Sequence, residues 1–210
     1  MSSSKPRSMR MTVPRSNRNG SRESGYGPIS PIEWNEQVTK TRLLITAGPT
    51  HEPIDGVRYL ANRSSGRLGI LMAGAAADLG ASVTLLLGPT PLEPDRHPLL
   101  TTRRFRSTAD LAALLETSWP DHDVLLMAAA VADFRPLGAD SGNKIERGPD
   151  GLTLRLESTP DLLAGLADRS RSDQIRVGWA LEVRESMMER ARGKLARKRL
   201  DAIVANPLET

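Results

Sequence analysis

The sequence contains no cysteine. That removes disulfides, thiolate zinc sites, iron–sulfur clusters and cysteine nucleophiles together, and makes a cytoplasmic setting the expectation. Aromatic residues are scarce, at 3% of the 210, and no apolar run approaches the roughly 20 residues that a bilayer-spanning helix needs. A membrane protein is set aside on that ground. His51, His97 and His122 are scattered in loop-like segments without metal-ligand spacing, so no protein-built metal site is expected.

A one-signed charge is also missing once the net +4 is located. Residues 1–40 hold seven Lys/Arg against three Asp/Glu, leaving 22 of each in 41–210. The basic excess belongs to a Ser-, Arg-, Asn-, Gly- and Pro-rich stretch with almost no aliphatic residue before Ile29. Such a stretch cannot offset its ordering entropy by burial, so residues 1–40 are read as a disordered basic tail and 41–210 as one domain. A charged tail with no stacking or groove-reading element argues against a nucleic-acid partner.

From residue 42 onward, short β-like runs alternate with helical patterns, which points to an α/β fold with a mainly parallel sheet. Strands are expected at 43–46, 83–87, 101–106, 124–129, 152–156, 175–181 and 202–204. Helices are expected at 68–79, from a Thr108 cap to Leu115, from Thr159-Pro160-Asp161 onward, and at 185–199. Gly80 supplies a helix stop.

The long connection after strand 43–46 carries Ala47-Gly48-Pro49-Thr50 at one end and Asn62-Arg63-Ser64-Ser65-Gly66 at the other. Glycine lets backbone approach a ligand, and a helix mouth suits phosphate; the bland alternative is a helix capped by Asn or Ser with a loop glycine. The connection differs from the short Gly-x-Gly-x-x-Gly turn, and no acid ends strand 83–87, which disfavours a nicotinamide dinucleotide. Met127-Ala128-Ala129-Ala130-Val131-Ala132-Asp133 places small residues and an acid at a strand's carboxyl edge, with room for a base or ribose, or else Asp133 caps the next element. Lys144 sits in a Gly/Ser/Asp loop, either reaching a phosphate or simply solvated. Lys194 and Lys198 lie four apart on one helix face, suiting a polyphosphate or an ordinary charged surface. Trp179 is either core or a wall of the binding edge.

Seven motifs run in order: Ile45 to Thr50; Glu52-Pro53-Ile54-Asp55 with Val57-Arg58; Asn62 to Gly66; Ala129 to Phe134; Lys144-Ile145; Thr159-Pro160-Asp161; and Lys194-Leu195-x-x-Lys198 with Asp201 and Asn206. Together, over about Leu43 to Asn206, they resemble the phosphopantothenoylcysteine synthetases, or phosphopantothenate–cysteine ligases, of coenzyme A biosynthesis. The resemblance implies a three-layer Rossmann-like α/β fold with a long phosphate-binding loop. It also implies a two-step ligation: the carboxylate of 4′-phosphopantothenate attacks CTP to give an acyl-cytidylate and pyrophosphate, and the amine of cysteine then displaces CMP. An ATP-dependent ligase and a non-catalytic nucleotide-binding protein are the alternatives that this fold leaves open.

Carried over by resemblance, Asn62 holds the acyl carbonyl and Lys144 serves the site from a flap. Gly48, Ser64, Ser65, Gly66, Met127, Ala128, Ala129, Asp133, Ser158, Thr159, Pro160, Asp161, Trp179, Lys194 and Lys198 line the nucleotide. Magnesium is expected to arrive with the triphosphate, and a homodimer is expected, with the flap closing over the neighbouring subunit's site and the alternating Leu152–Leu156 run pairing with its twin. The family pattern departs here in Lys144-Ile145-Glu146-Arg147, where Lys-Ile-Lys-Lys is usual, and in Trp179, Leu181 and Val183 within a Gly-Phe-Ala-Ala-Glu-Thr motif. Similar chains continue past the position of Asn206, whereas this sequence ends at Thr210. A flavin-dependent decarboxylase half, often fused to such ligases, is not expected within these 210 residues, because forty tail residues cannot hold a second core.

Overall fold

The computed structural model describes residues 38–138, 142–149 and 151–208; the expectation for residues 1–37 of the tail lies outside them. In chain order the elements are β1 (Arg42–Ala47), β2 (His51–Pro53), β3 (Tyr59–Ala61), α1 (Arg67–Asp78), β4 (Ser82–Leu87), β5 (Leu100–Arg104), α2 (Thr108–Ser118), β6 (Val124–Met127), β7 (Phe134–Pro136), β8 (Leu156–Ser158), α3 (Leu162–Gly165), β9 (Ile175–Glu182), α4 (Met187–Arg197) and β10 (Ala202–Pro207). Six strands form one sheet in the order β10-β9-β6-β1-β4-β5, parallel at every pairing. This is the expected α/β class and Rossmann-like layering.

A parallel sheet buried on both faces asks for continuous apolar strands, and β1 supplies one. Leu44 joins Leu86, Leu111, Leu115, Leu125 and Leu163 on one face, while Ile45 joins Ala73, Ala77, Leu85 and Leu87 on the other. Both residues are fully buried, and burial of each side chain is worth about 1.5–3 kcal/mol. On its sheet side α1 buries Gly69, Ala73 and Ala77 at i, i+4, i+8. A Cβ at 69 would run into that of Ala47, so glycine sets how closely α1 crosses β1. Val38, inside the stretch read as tail, packs against this second cluster.

Several boundaries differ from expectation for local reasons. Ser107, not Thr108, caps α2, in a reciprocal box with Asp110; Thr108 is buried, and its N–H and hydroxyl donate to Glu52 at 2.8 and 2.7 Å. The strand expected over 124–129 ends at Met127, because Ala129 N–H turns to the Thr46 hydroxyl, 3.0 Å away. The expected strand 152–156 is mostly not one: only Leu156–Ser158 is strand, paired antiparallel with Phe134–Pro136. The β2–β3 hairpin, within the expected long loop, puts His51 on a strand and stacks its ring on Tyr59 at 3.7 Å. No described helix is long and apolar enough to cross a membrane.

Candidate nucleotide-binding site

The chain leaves β1 for β4 on one side and returns from β5 to β6 on the other. The carboxyl ends of β1 and β6 therefore flank the point where strand order reverses, the place where open α/β sheets hold ligands. The sequence puts its small residues there. Gly48 and Gly66 both take left-handed backbone, at φ 81° and 73°. A Cβ on Gly66 would lie 3.3 Å from Gly48 backbone, and one on Gly48 3.3 Å from Gly88 backbone. Three backbones thus meet with no space for side chains between them, and Gly48 and Gly66 are both buried at the start of α1.

Backbone and hydroxyl bonds fix the β6 loop to this turn. Ala130 N–H donates to the Gly48 carbonyl at 2.9 Å, and Thr50 N–H to the Ala130 carbonyl at 3.3 Å. The Thr50 hydroxyl accepts from Ala132 N–H at 3.0 Å, and the Thr159 hydroxyl donates to the Ala132 carbonyl at 2.5 Å. Thr159 N–H reaches the Asp133 carbonyl at 2.9 Å. Gly48, Ala128, Ala129, Asp133, Ser158 and Thr159 are thereby gathered on one rim. Asp133 is exposed and precedes β7 rather than a helix, so it caps nothing.

Asn62 reaches across the mouth and donates from Nδ2 to the Val131 carbonyl at 2.8 Å. Its carboxamide thus bridges the end of β3 and the loop after β6. The helix entry itself is Gly66, with no side-chain cap. The hydroxyls of Ser64 and Ser65 accept from Gly66 N–H and Arg67 N–H, each at 3.3 Å, and so shape the turn instead of capping α1. Met127 is buried and its sulfur accepts from the Thr46 hydroxyl at 3.4 Å; it backs the rim from inside.

Lys194 and Lys198 are both paired with acids. Lys194 Nζ lies 2.6 Å from Glu182 Oε1, with Arg190 3.6 Å from the same carboxylate. Lys198 Nζ lies 3.0 Å from Asp161, whose carboxylate also caps α3 through Ala164 N–H. Each lysine is held by an acid of its own chain, one at the end of β9 and one in the Thr159-Pro160-Asp161 turn. Glu182 is almost fully buried. The hydrogen bond from Lys194, then the charges of Lys194 and Arg190, hold its carboxyl below the ordinary glutamate range. Trp179 is half-buried, beside Val204 of β10. Sequence reading passed over Glu182, whose signal is a lone acid closing an apolar strand ahead of a basic helix. It also quoted Asp55 and Arg58 without giving them a role.

Lys144 is exposed and lies on a segment laid against the β2–β3 turn, where Gly56 N–H donates to the Asn143 carbonyl at 2.7 Å. A cavity of about 310 Å³ lies elsewhere, near the amino ends of β9 and β10, lined by Arg171, Arg176 and Arg199 among others. It is remote from the strand-order reversal and contains none of the residues above. Among the described residues no three His, Asp or Glu side chains converge as a metal cage, so a magnesium site built by the protein alone does not fit this rim.

These features define an α/β domain of the doubly wound type with a glycine turn at its switch point. Residues 38–210 match the family described as the DNA/pantothenate metabolism flavoprotein C-terminal domain, and the chain belongs to that family. It is 44% identical over 168 residues to a cysteine/cysteine sulfinic acid decarboxylase from an unknown prokaryotic organism, covering 80% of this chain and 46% of that protein. It is 41% identical over 170 residues to the coenzyme A biosynthesis bifunctional protein CoaBC of Vibrio cholerae, covering 79% of this chain and 41% of that one. The crystal structure of the C-terminal domain of a CoaBC protein superposes with a TM-score of 0.68 at 37% identity, covering 80% of this chain and 77% of that domain. The chain spans less than half the length of these curated relatives. The resemblance drawn from the motifs holds: the chain is homologous to the C-terminal, synthetase-type domain of CoaBC.

Proposed function

We propose that the chain is a phosphopantothenate–cysteine ligase, acting through an acyl-cytidylate formed from CTP. The observation that carries this reading is the convergence, at the switch point, of the Gly48 and Gly66 backbones at the start of α1 with the Asn62 carboxamide held on Val131. The phosphopantothenate carboxylate attacks the α-phosphorus of CTP, forming a P–O bond as the bond to pyrophosphate breaks. The amine of cysteine then attacks the acyl carbonyl, CMP leaves, and the ammonium proton is lost. One Asn62 N–H is anchored on Val131; the other is assigned to the acyl oxygen, where a fixed donor stabilises developing charge. Gly48, Ser64, Ser65 and Gly66 suit the phosphates. Ala128, Ala129, Asp133, Trp179 and the Ser158–Asp161 turn suit the nucleoside, with Met127 behind them.

Lys194 and Lys198 are assigned to the triphosphate, their acids holding them in place until the polyanion arrives. Lys144 is assigned to the same charge from its loop. Magnesium is assigned to the triphosphate, in keeping with its preference for phosphate oxygens and water, and no step is attributed to it. A homodimer completes the proposed assembly.

The test is incubation with phosphopantothenate, cysteine and each nucleoside triphosphate, scoring pyrophosphate and amide product. Amide with CTP alone is the expected result. Amide with ATP alone would replace CTP by ATP in the same scheme, and nucleotide binding without amide would favour a non-catalytic protein.

A further inference from the structure

The turn joining β2 and β3 contains a buried acid whose bonds go beyond the turn. Asp55 is 2% exposed. Its Oδ1 accepts from Val57 N–H at 2.9 Å and Arg58 N–H at 2.8 Å, closing the turn locally. Its Oδ2 accepts from Arg58 Nε at 2.8 Å and from Arg58 Nη2, and also from Ile145 N–H at 3.1 Å, ninety residues away. Arg58 Nη2 in turn donates to the Ile145 carbonyl at 2.7 Å, and Gly56 N–H to the Asn143 carbonyl. Residues 143 and 145 are therefore tied to the turn on both sides of Lys144. The bonds to Ile145 add nothing to the turn's own closure, so a purely local role does not account for them.

We infer that Asp55 is a positioning residue for Lys144: through Oδ2 and Arg58 its carboxylate seats the backbone flanking that lysine on the β2–β3 turn. The inference rests on Lys144 serving the ligase site. The guanidinium of Arg58 holds the Asp55 carboxyl well below the ordinary aspartate range, with further lowering from the Val57 and Ile145 N–H bonds, so the seat keeps its charge through neutral pH.

Asp55→Asn separates the two halves of the arrangement. It keeps an oxygen for the turn and puts an NH2 where Arg58 and Ile145 N–H need an acceptor. Amide hydrogen exchange at Ile145 should quicken roughly 10- to 100-fold, the equivalent of one charge-assisted bond, while Leu44 and Ile45 exchange as in the parent. Amide-forming turnover should fall, and Asp55→Asn combined with Lys144→Gln should be no slower than Lys144→Gln alone, because both changes act through one side chain. Unchanged exchange at Ile145, or losses that multiply, would overturn the inference. If Asp55→Asn does not fold, Arg58→Gln removes the guanidinium bonds to Asp55 and to the Ile145 carbonyl and should likewise quicken exchange at Ile145 and slow turnover; unchanged exchange and turnover would overturn the inference. A parent Ile145 amide that exchanges as fast as a free loop defeats the seat without any variant. Turnover by Lys144→Gln at the parent rate would instead remove the lysine from the ligase reading and end the positioning role with it, while exchange still reports on the seat.

Discussion

Asn62 has a carboxamide with two jobs and two N–H groups. The contact with Val131 at 2.8 Å fixes the side chain before substrate arrives, so little reorganisation remains when charge develops on the acyl oxygen. Asn62→Asp keeps the shape and removes both donors. It also sets a carboxylate beside the Val131 carbonyl and the developing oxyanion. Loss of one such donor costs about 3–4 kcal/mol, or 10²–10³ in rate, and amide formation should slow by that order. Rapid quench of a single turnover checks it; a parent rate would remove Asn62 from the reaction. Residue by residue, the close turn at this end of the sheet was legible, because Gly48 and Gly66 sit where backbones meet too closely for a side chain. Glu182 has a signal as an acid closing a strand, but its partner was not legible, because nothing in Trp179-Ala180-Leu181-Glu182 shows that α4 folds back to bring Lys194 to it.

The junction of α4 with β9 depends on that acid. Glu182→Gln leaves Lys194 without its 2.6 Å carboxylate and should cost about 1 kcal/mol, a charge-assisted bond discounted because the lysine is one-third exposed. The pH dependence follows from the lowered carboxyl. The stabilisation is complete above the usual glutamate value of 4.5 and is lost as pH falls through the lower folded value. Urea denaturation of parent and variant should therefore differ at pH 7, begin to draw together as pH falls below 4.5 and meet below the lower folded value; a constant difference across that range would show that the ion pair carries none of the stability. Lys194 and Arg190 of α4 are the charges facing this carboxylate. Elements of this size were readable in advance. α1, α2 and α4 repeat apolar or charged residues over three turns, and β1, β4 and β9 carry runs of apolar residues long enough to read as strands. The three-residue strands were not readable. β7 contains Pro136, which has no N–H, and of the alternating Leu152–Arg155 run only Arg155 meets the neighbouring segment among the described residues, its carbonyl accepting from Leu137 N–H at 2.8 Å. Pairing of Phe134–Pro136 with Leu156–Ser158 is a matter of backbone register and leaves almost no periodic trace.

At the scale of the molecule, these two strands form a small sheet that is marginal by itself. Around it Phe134, Leu137, Leu152, Leu154 and Leu156 stand 39–51% exposed, in a chain where aromatic residues are only 3%. Exposed apolar side chains gathered around a small sheet are what an isologous contact can cover. The run 152–156, read from sequence as a pairing strand, thus keeps a place in the proposed homodimer as an apolar surface, not as a regular edge. Light scattering should report about twice 22.8 kDa for the parent. Leu154→Glu changes a residue 39% exposed and should alter subunit stability by no more than about 0.5 kcal/mol. In a dimer built on this face it places two like charges across the axis and should shift the mass to that of one chain at micromolar concentration. If the flap of one subunit serves its neighbour, that variant should also lose ligase turnover while keeping the parent's thermal transition. A parent that scatters as a single chain, with full turnover, would remove the homodimer and leave Lys144 to act on its own subunit's rim.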